Sequence, residues 1–399
     1  MRWLKTDPIA RSWGYAIFAL AVNTITTEYQ VDESASGGVM IFKRGAAPKE
    51  LEAAITGAAS DEEKGDAAPA RVEGAVSEKE KDAAANALEA TTDIYTFRDV
   101  CYDVQIKSET RRLLDNVSGF VQPGKMTCLM GESGAGKTTL LNVLAQRVST
   151  GVISGDMLVN GKPLPLSFQR STGYVQQGDV HMATTTVREA LIFSARLRQP
   201  AATPDAEKLE YVEEIIKLLE MEAYAEALVG EVGMGLNVEQ RKRTSIAVEL
   251  AAKPALLIFL DEPSSGLDSQ SSWSIMQLLR KLADHGQAIL ATVHQPSAEL
   301  FQVFDRLLLL KKGGQTVYFG ELGHNSKTLI DYFGQRSDLQ CGEKDNPAEY
   351  ILEVIGAGAG ASTKQDWHGL WKESDEFKKV QRQIDEYHVR SLSSRGMLS

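Results

Sequence analysis

A glycine-rich loop in the first half of the chain has residue types that suit the binding of phosphates. An apolar run, 126–130, precedes the loop, and apolar residues at helical spacing follow it over 140–144. This order predicts a strand, a loop whose backbone amides point toward phosphate oxygens, and a helix whose positive dipole end favours the same negative charge. The residues expected to surround the phosphates are Gly131, Glu132, Ser133, Gly134, Ala135, Gly136, Lys137, Thr138 and Thr139.

Two side chains of this loop have defined tasks toward a magnesium-bound triphosphate. Lys137 is suited to reach the β- and γ-phosphates, and the Thr138 hydroxyl is placed to ligate Mg²⁺. The alternative is a glycine-rich turn without a function. We favour the phosphate site because the strand, loop and helix patterns all agree with it.

A second apolar run, 255–260, ends in two adjacent acids, Asp261 and Glu262. Since nothing polar interrupts the run, it predicts a strand buried on both faces, whose end lies where ligands bind in doubly wound sheets. In a phosphate site Asp261 would hold Mg²⁺ through a water, and Glu262 would polarise the water that attacks the γ-phosphate. The alternative is that the two acids belong to a solvated turn without a function. The glycine loop weakens this alternative, because a phosphate cradle requires a metal-binding acid from another strand.

The elements that must position these groups belong to one domain. From residue 93 to about 356, β-branched runs such as 94–99 and 100–106 alternate with helical patterns. This alternation is typical of an α/β fold in which helices cover a sheet. A last stretch, 365–389, has aromatic and charged residues at helical spacing, and we favour a surface helix packed on its own domain over a docking surface.

Composition limits the classes of partner. The chain has 399 residues with 43 Lys and Arg against 54 Asp and Glu, a net charge of −11, which argues against nucleic-acid binding as a general property.

Three scattered cysteines, Cys101, Cys128 and Cys341, have no metal-ligand spacing and predict reduced thiols. Segment 51–90 has 10 acidic and 4 basic residues and few large apolar ones, as expected of a solvated linker.

Several further motifs occur in a fixed order around the acidic strand end. They are Gly173-Tyr-Val-Gln-Gln177, Leu236-Asn-Val-Glu-Gln-Arg-Lys-Arg243, Ser264-Ser-Gly-Leu-Asp268 and Thr292-Val-His-Gln-Pro296. Together they resemble the Q-loop, signature, D-loop and H-loop of an ATP-binding cassette, with the two phosphate-site motifs as Walker A and Walker B. The resemblance covers about residues 95–356.

Other segments narrow the resemblance further. They are Arg241-Lys-Arg243, the hairpin 313–321, Asn346-Pro-Ala-Glu349 and the segment 36–44. These resemble the second nucleotide-binding domain of fungal pleiotropic drug resistance transporters, in ABC subfamily G. The fold that this implies is a P-loop cassette with a mixed sheet, a RecA-like core, a helical subdomain and an antiparallel β-subdomain.

The resemblance implies an ATP-hydrolysing motor domain with Mg²⁺ as cofactor. Gln177 would sense Mg²⁺ and the membrane domain, and His294 would contact the γ-phosphate. Glu262, His294 and Lys137 are the expected catalytic residues, while Thr138, Asp261 and Gln177 are the expected metal site. Two cassettes would enclose two ATP molecules, with Asp268 crossing the interface between them.

The signature departs from the usual Leu-Ser-Gly-Gly-Gln. Val238 adds a side chain where backbone must approach the partner's nucleotide, and Glu239 adds a negative charge. One unrelieved like-charge pair at about 4 Å costs on the order of 4 kcal/mol at an effective dielectric of about 20. The resemblance therefore implies an asymmetric pair, in which this chain's Walker motifs work against a partner's intact signature. Asn237 is still expected to cap the helix that follows.

An adenine-stacking residue is not evident from the motifs. Tyr102 lies near the expected place, but our alignment puts Val104 where many cassettes have an aromatic residue. Stacking on adenine and plain strand packing both remain open for Tyr102.

The resemblance also predicts the domain organisation. Segment 12–27 is uncharged over 16 residues, and we favour a truncated transmembrane helix over a signal peptide. The expected domains are a helix remnant (1–30), an acidic linker (31–92), the cassette (93–356) and a helical extension toward a membrane domain (357–399).

This organisation predicts the partners and the location. The partners would be a second cassette with an intact signature and the transmembrane domains of one transporter, at the cytosolic face of the plasma membrane; the isolated chain could be soluble and cytosolic. The alternatives to a motor for drug or lipid efflux are a non-catalytic regulatory module and a soluble ABC protein that acts in translation or repair.

Overall fold

The computed structural model describes residues 92–106, 109–231, 233–357 and 365–393, with side chains to residue 388. The uncharged segment 12–27, the linker 51–90 and the motif at 36–44 lie outside these residues. Among the helices that the structure describes, none has the length and apolar character needed to cross a membrane.

Ten of the described strands form one mixed sheet, in the order β5-β4-β1-β2-β12-β11-β3-β10-β9-β6. Strands β11, β3, β10, β9 and β6 run parallel to one another, and β5, β4, β1 and β2 pair antiparallel. Strand β12 joins the two parts, because it pairs antiparallel with β11 and parallel with β2. The strand bounds are β1 Tyr95–Ile106, β2 Glu109–Val121, β3 Met126–Gly131, β4 Val152–Val159, β5 Lys162–Pro163, β6 Thr172–Val175, β7 Gly230–Glu231, β8 Met234–Gly235, β9 Leu257–Leu260, β10 Ile289–Thr292, β11 Arg306–Lys311 and β12 Gln315–Glu321.

Some helices contact the parallel strands β3, β6 and β10, and others contact β1, β2 and β12. Their bounds are α1 Lys137–Leu144, α2 Phe168–Ser171, α3 Val187–Arg198, α4 Asp205–Leu218, α5 Val238–Ala251, α6 Ser269–Asp284, α7 Ala298–Phe301, α8 Lys327–Gly334, α9 Pro347–Val354, α10 Trp367–Glu373 and α11 Asp375–Ser393. Helices α3, α4 and α5 pack on one another as a helical subdomain. The predicted fold, with its parallel core, antiparallel β-subdomain and helical subdomain, is confirmed.

Strands β3, β6, β9 and β10 are buried along their whole length. Such strands need covering on both faces, which explains why most of their residues are apolar. The strand predicted over 255–260 is shorter in the structure, where β9 begins at Leu257. The parallel register aligns Leu260 of β9 with Ala291 of β10, so the segments after both strands leave the sheet at the same edge.

The two runs predicted at 94–99 and 100–106 are a single strand, β1. Its pairing with β2 shifts register between Phe97 and Val100, and Asp99 there has φ of +50°. The irregularity is a β-bulge, which keeps the ladder continuous while it turns the backbone locally. The prediction of two strands was therefore wrong, because Asp99 lies at a β-bulge within one strand.

Helices α10 and α11 pack on their own domain, as predicted. Trp371 is 3% exposed, and its ring lies 5.7 Å from the ring of Tyr318 on β12. Tyr387 of α11 lies edge-on to Phe120 of β2 at 5.2 Å between ring centroids. These contacts bury the aromatic face that the sequence pattern showed.

Candidate functional site

The glycine-rich loop joins β3 to α1 in a conformation that requires glycine. A Cβ at Gly131 would lie 2.3 Å from the carbonyl oxygen of Leu310, which leaves no room for a side chain. Gly136 is the N-cap of α1 and has φ of +96°, in the left-handed region. Ser133 and Gly134 are exposed at the tip of the loop. The N–H groups of Lys137, Thr138 and Thr139 have no hydrogen-bond partner among the described residues, so this helix N-terminus can donate to an anion.

Lys137 places its ammonium inside this loop. The residue is 8% exposed, and Nζ donates to the carbonyl oxygens of Gly131 (2.9 Å) and Glu132 (3.1 Å). Burial lowers the pKa of Lys137, while the charges of Glu262 and Asp261 oppose that shift. Among the described residues, the hydrogen-bond partners of this ammonium are loop carbonyls, and it can exchange them for phosphate oxygens, which are stronger, charged acceptors.

Asp261 and Glu262 follow β9 as predicted, and Asp261 lies against the loop. Its Oδ1 accepts hydrogen bonds from the hydroxyls of Thr138 (3.1 Å) and Thr292 (2.7 Å), and the residue is 5% exposed. Glu262 has φ of +48°, a backbone conformation that is costly for a residue with a side chain. Strain of this kind marks a position whose orientation the surrounding structure fixes.

Thr292 is a further residue of this site, for which no role was predicted. This buried residue ends β10, and its hydroxyl contacts both neighbouring acids: it donates to Asp261 Oδ1 and accepts from the backbone N–H of Glu262 at 2.7 Å. A polar residue at the end of an otherwise apolar strand is the signal that could have found it. Thr292 therefore fixes the strained turn between the two carboxylates.

Gln177 reaches the same acids from the neighbouring strand end. It lies two residues after β6, and its Nε2 donates to Glu262 Oε2 at 2.8 Å. The structure thus brings Lys137, Thr138, Asp261, Glu262 and Gln177 together at one edge of the parallel sheet. The other oxygen, Glu262 Oε1, has no hydrogen-bond partner among the described residues.

Three other predicted site residues are less closely tied to this cluster. His294 lies beyond β10, is exposed, and has no hydrogen-bond partner among the described residues. The Glu132 carboxylate turns away to the hairpin, where it contacts the backbone N–H (3.1 Å) and Nζ (3.0 Å) of Lys312. Thr139 is half-buried on the first turn of α1.

The signature residues begin α5. Asn237 caps this helix, as predicted, in a reciprocal capping box with Gln240. Glu239 is paired: its Oε1 lies 2.9 Å from Nη2 of Arg243, and its Oε2 accepts from the Ser271 hydroxyl at 3.0 Å. The full repulsion of an unrelieved charge therefore does not apply. Val238 is 48% exposed beside it.

Two further residues have local roles in the structure. Asp268 caps α6 by accepting from the backbone N–H of Ser271 at 2.9 Å, and this hydrogen bond lowers the pKa of the carboxyl group. Tyr102 is 5% exposed and donates to the carbonyl oxygen of Thr150 at 2.8 Å. Its ring is thereby part of the strand packing, the second of the two roles left open for it.

The donor set fits a magnesium-bound triphosphate. No group of three or more His, Cys, Asp or Glu residues within the described ranges could hold a metal by itself. Mg²⁺ typically takes one or two protein ligands, together with phosphate oxygens and water. The Thr138 hydroxyl and the Asp261 carboxylate can supply the protein ligands. The glycine cradle, the Lys137 ammonium and these two oxygens are therefore complementary to the metal and the phosphates together.

Comparison with known proteins agrees with this geometry. The ABC transporter family model matches residues 114–265, and the ABC-2 type transporter model matches residues 294–369. The chain is 59% identical over 389 residues to the Brefeldin A resistance protein of Schizosaccharomyces pombe, covering 96% of this chain and 25% of that protein. The described domain is an ABC cassette similar to those of fungal pleiotropic drug resistance transporters.

Other relatives of this cassette are also fungal transporters. It is 55% identical over 390 residues to the ATP-dependent permease PDR12 of Saccharomyces cerevisiae, covering 98% of this chain and 25% of the permease. It is 54% identical over 384 residues to the ABC multidrug transporter SNQ2 of Candida glabrata, covering 94% of this chain and 25% of the transporter. The chain thus spans about a quarter of the length of these curated relatives.

A solved structure shows the same fold as the cassette. The ATP binding subunit of an ABC transporter superposes with a TM-score of 0.52 at 20% identity, covering 65% of this chain and 99% of that structure. The predicted family and the predicted fold are both confirmed.

Proposed function

We propose that this cassette binds and hydrolyses ATP as a motor domain of an efflux transporter for amphipathic drugs or lipids. The observation that supports this best is the convergence of Lys137, Thr138, Asp261, Glu262 and Gln177 from three separate segments. These are the groups that phosphoryl transfer to water requires: a phosphate cradle, metal ligands and a base.

Each residue of the cluster has a separate task in this proposal. The loop amides and Lys137 bind the β- and γ-phosphates, and Thr138 with Asp261 holds Mg²⁺. When bound, the metal neutralises charge on the phosphate oxygens. Glu262 Oε1 accepts a hydrogen bond from the attacking water, while Gln177 fixes the other carboxylate oxygen. His294, exposed at the same edge, contacts the γ-phosphate.

We further propose that the cassette works in an asymmetric pair. Its Walker motifs would meet the intact signature of a second cassette, whereas its own Asn237-Val-Glu239 sequence would face a site that mainly holds nucleotide. The exposed side chain of Val238, where a glycine usually stands, supports this arrangement because it limits close backbone approach. The other partners would be the transmembrane domains of the same transporter.

The proposed organisation follows from this role. Residues 93–356 would be the cassette, 1–30 and 31–92 a helix remnant and a linker, and 357–399 an extension toward a membrane domain. The full transporter would lie in the plasma membrane with this cassette on the cytosolic side. Genomic sequence on both sides of the reading frame tests the organisation directly.

The hydrolytic role is tested in the assembled transporter with Glu262→Gln. We expect steady-state ATPase activity to fall at least about a hundredfold, because general-base assistance contributes that much or more. Glu207→Gln, an exposed glutamate at the start of α4, is the matched control and should keep wild-type activity. Wild-type turnover in the Glu262→Gln transporter would refute the role and favour a non-catalytic module.

Nucleotide binding is tested separately with the 399-residue chain. We expect Lys137→Ala to weaken ATP binding, measured by calorimetry, by about 2 kcal/mol or more, since charge-assisted hydrogen bonds to phosphate are lost. Lys162→Ala, on an exposed strand, should bind as tightly as the parent. Equal affinity in both variants would exclude the glycine loop as the phosphate site.

A further inference from the structure

A buried lysine on the signature helix contacts the loop that contains Gln177. Lys242 of α5 has a side chain that is 1% exposed, and its Nζ donates to the carbonyl oxygen of Gln177 at 2.9 Å. The same ammonium lies 3.0 Å from Oδ1 of Asp179, whose side chain is 13% exposed. An ammonium this deeply buried is tolerated only with charged and polar partners, so both contacts hold the loop firmly against α5.

A second contact ties the same loop to α5 one turn later. The Ser245 hydroxyl donates to Asp179 Oδ1 at 2.6 Å, and His181 Nε2 lies 2.8 Å from that hydroxyl. Residues 177–181 are therefore anchored at both ends to one helix. The loop cannot follow the sheet independently while these contacts persist.

The anchored loop also touches the proposed base. The Gln177 side chain donates to Glu262 while its backbone carbonyl accepts from Lys242. Lys242 lies three residues after Glu239 on the same helix, about 4.5 Å along its axis. A displacement of the signature end of α5 would therefore carry Lys242 with it and move Gln177 relative to Glu262.

We propose that Lys242 is a positioning residue that couples the signature helix to the Gln177–Glu262 contact of its own cassette. Gln177 then holds Glu262 in the hydrolytic orientation only while α5 occupies its present position. This inference rests on the proposed function, because it assigns a task within that reaction. Lys242 would thus take part in the proposed hydrolysis although it is not expected to contact the nucleotide.

The first test separates positioning from folding. Lys242→Met should lower the ATPase kcat of the assembled transporter about tenfold and change KM for ATP less than about threefold, since orientation rather than binding is lost. It also removes the cation that pairs with Asp179, whose side chain is only 13% exposed, and this destabilises the protein. The double variant Lys242→Met with Asp179→Asn removes that charge and keeps an acceptor for Ser245. We expect it to recover the melting temperature but not kcat, whereas recovery of both would overturn the proposal.

The second test asks whether the effect passes through Gln177. In a Gln177→Ala background, Lys242→Met should cause little further loss of kcat, because the contact that it positions is already gone. A full additional tenfold loss would overturn the proposal.

A third measurement does not depend on activity. In the 399-residue chain, Lys242→Met should accelerate hydrogen exchange of amides at 177–181 more than of those in β9, since the local anchor is lost. Unchanged exchange would refute the anchoring. If the Glu262→Gln transporter instead keeps full turnover, the proposed function fails, and the exchange result still decides whether Lys242 holds the loop.

Discussion

The carboxylate of Glu239 and the guanidinium of Arg243 form an ion pair across one turn of α5, at 2.9 Å. Arg243 is further fixed by the carbonyl oxygen of Leu219 at 2.8 Å and the hydroxyl of Ser274 at 2.5 Å. The charge in the altered signature is therefore compensated within the cassette. Its effect on a facing nucleotide is correspondingly smaller than that of an isolated carboxylate.

Loss of Arg243 should destabilise the cassette. We expect Arg243→Met to lower the free energy of unfolding by about 2 kcal/mol, because it removes several hydrogen bonds of a largely buried charged group. Chemical denaturation of the 399-residue chain measures this. Arg196→Met is the control, since its pair with Asp205 is about half exposed and should contribute little. Equal stability of both variants would contradict the importance of the buried pair.

Restoring the usual signature should affect stability more than turnover. The variant Asn237→Ser, Val238→Gly, Glu239→Gly keeps a helix cap but removes the partner of Arg243, and each glycine costs about 1 kcal/mol in a helix. We expect ATPase activity of the assembled transporter to change less than about twofold, because this signature faces the proposed nucleotide-holding site. A large gain in ATPase would instead show that the altered signature limits hydrolysis.

Thr292 should be required for the geometry of the two carboxylates. We expect Thr292→Val to destabilise the cassette by about 1–3 kcal/mol, because the Glu262 amide and Asp261 lose a buried partner. ATPase activity should fall as well, since Glu262 is no longer held. Thr292→Ser keeps the hydroxyl and should retain most activity. If the valine variant matched the serine variant, the hydroxyl would have no role.

The stability of the core should fall in acid through Asp305. Burial tends to raise the pKa of Asp305, but the Met126 amide, Lys125 and Arg280 outweigh it and leave the pKa below its usual value. Since the folded pKa is the lower one, these contacts stabilise the protein fully above the usual pKa of about 4 and progressively less as pH falls toward the folded value.

The corresponding test compares unfolding at several pH values. Asp305→Asn should be less stable than the parent at pH 7, and the difference should shrink as pH falls below about 4, because the variant has no carboxyl group to protonate at this site. Asp338→Asn, at an exposed position, is the control. A difference that stays constant across the acid range would contradict the assignment.

The proposed phosphate site could be predicted from the sequence because the patterns that indicate it are local. The loop from Gly131 to Lys137 needs glycine for its own backbone, and the Asp261–Glu262 pair follows an uninterrupted apolar strand. Both signals lie within about ten residues, so no long-range contact has to be known. The ordered motifs around them then predicted the cassette fold, which the sheet topology and the relatives confirm.

The contacts between these motifs were decided only by the tertiary structure. Thr292 meets Asp261 because β9 and β10 pair in one particular register, and Lys242 meets Gln177 because α5 packs beside the end of β6. The partners in these contacts are 31 and 65 positions apart in the chain, so no local pattern indicates them. The sequence by itself predicted which groups would do the chemistry. Only the tertiary structure showed how these groups are held and that the Glu239 charge is compensated, because both depend on packing between distant segments.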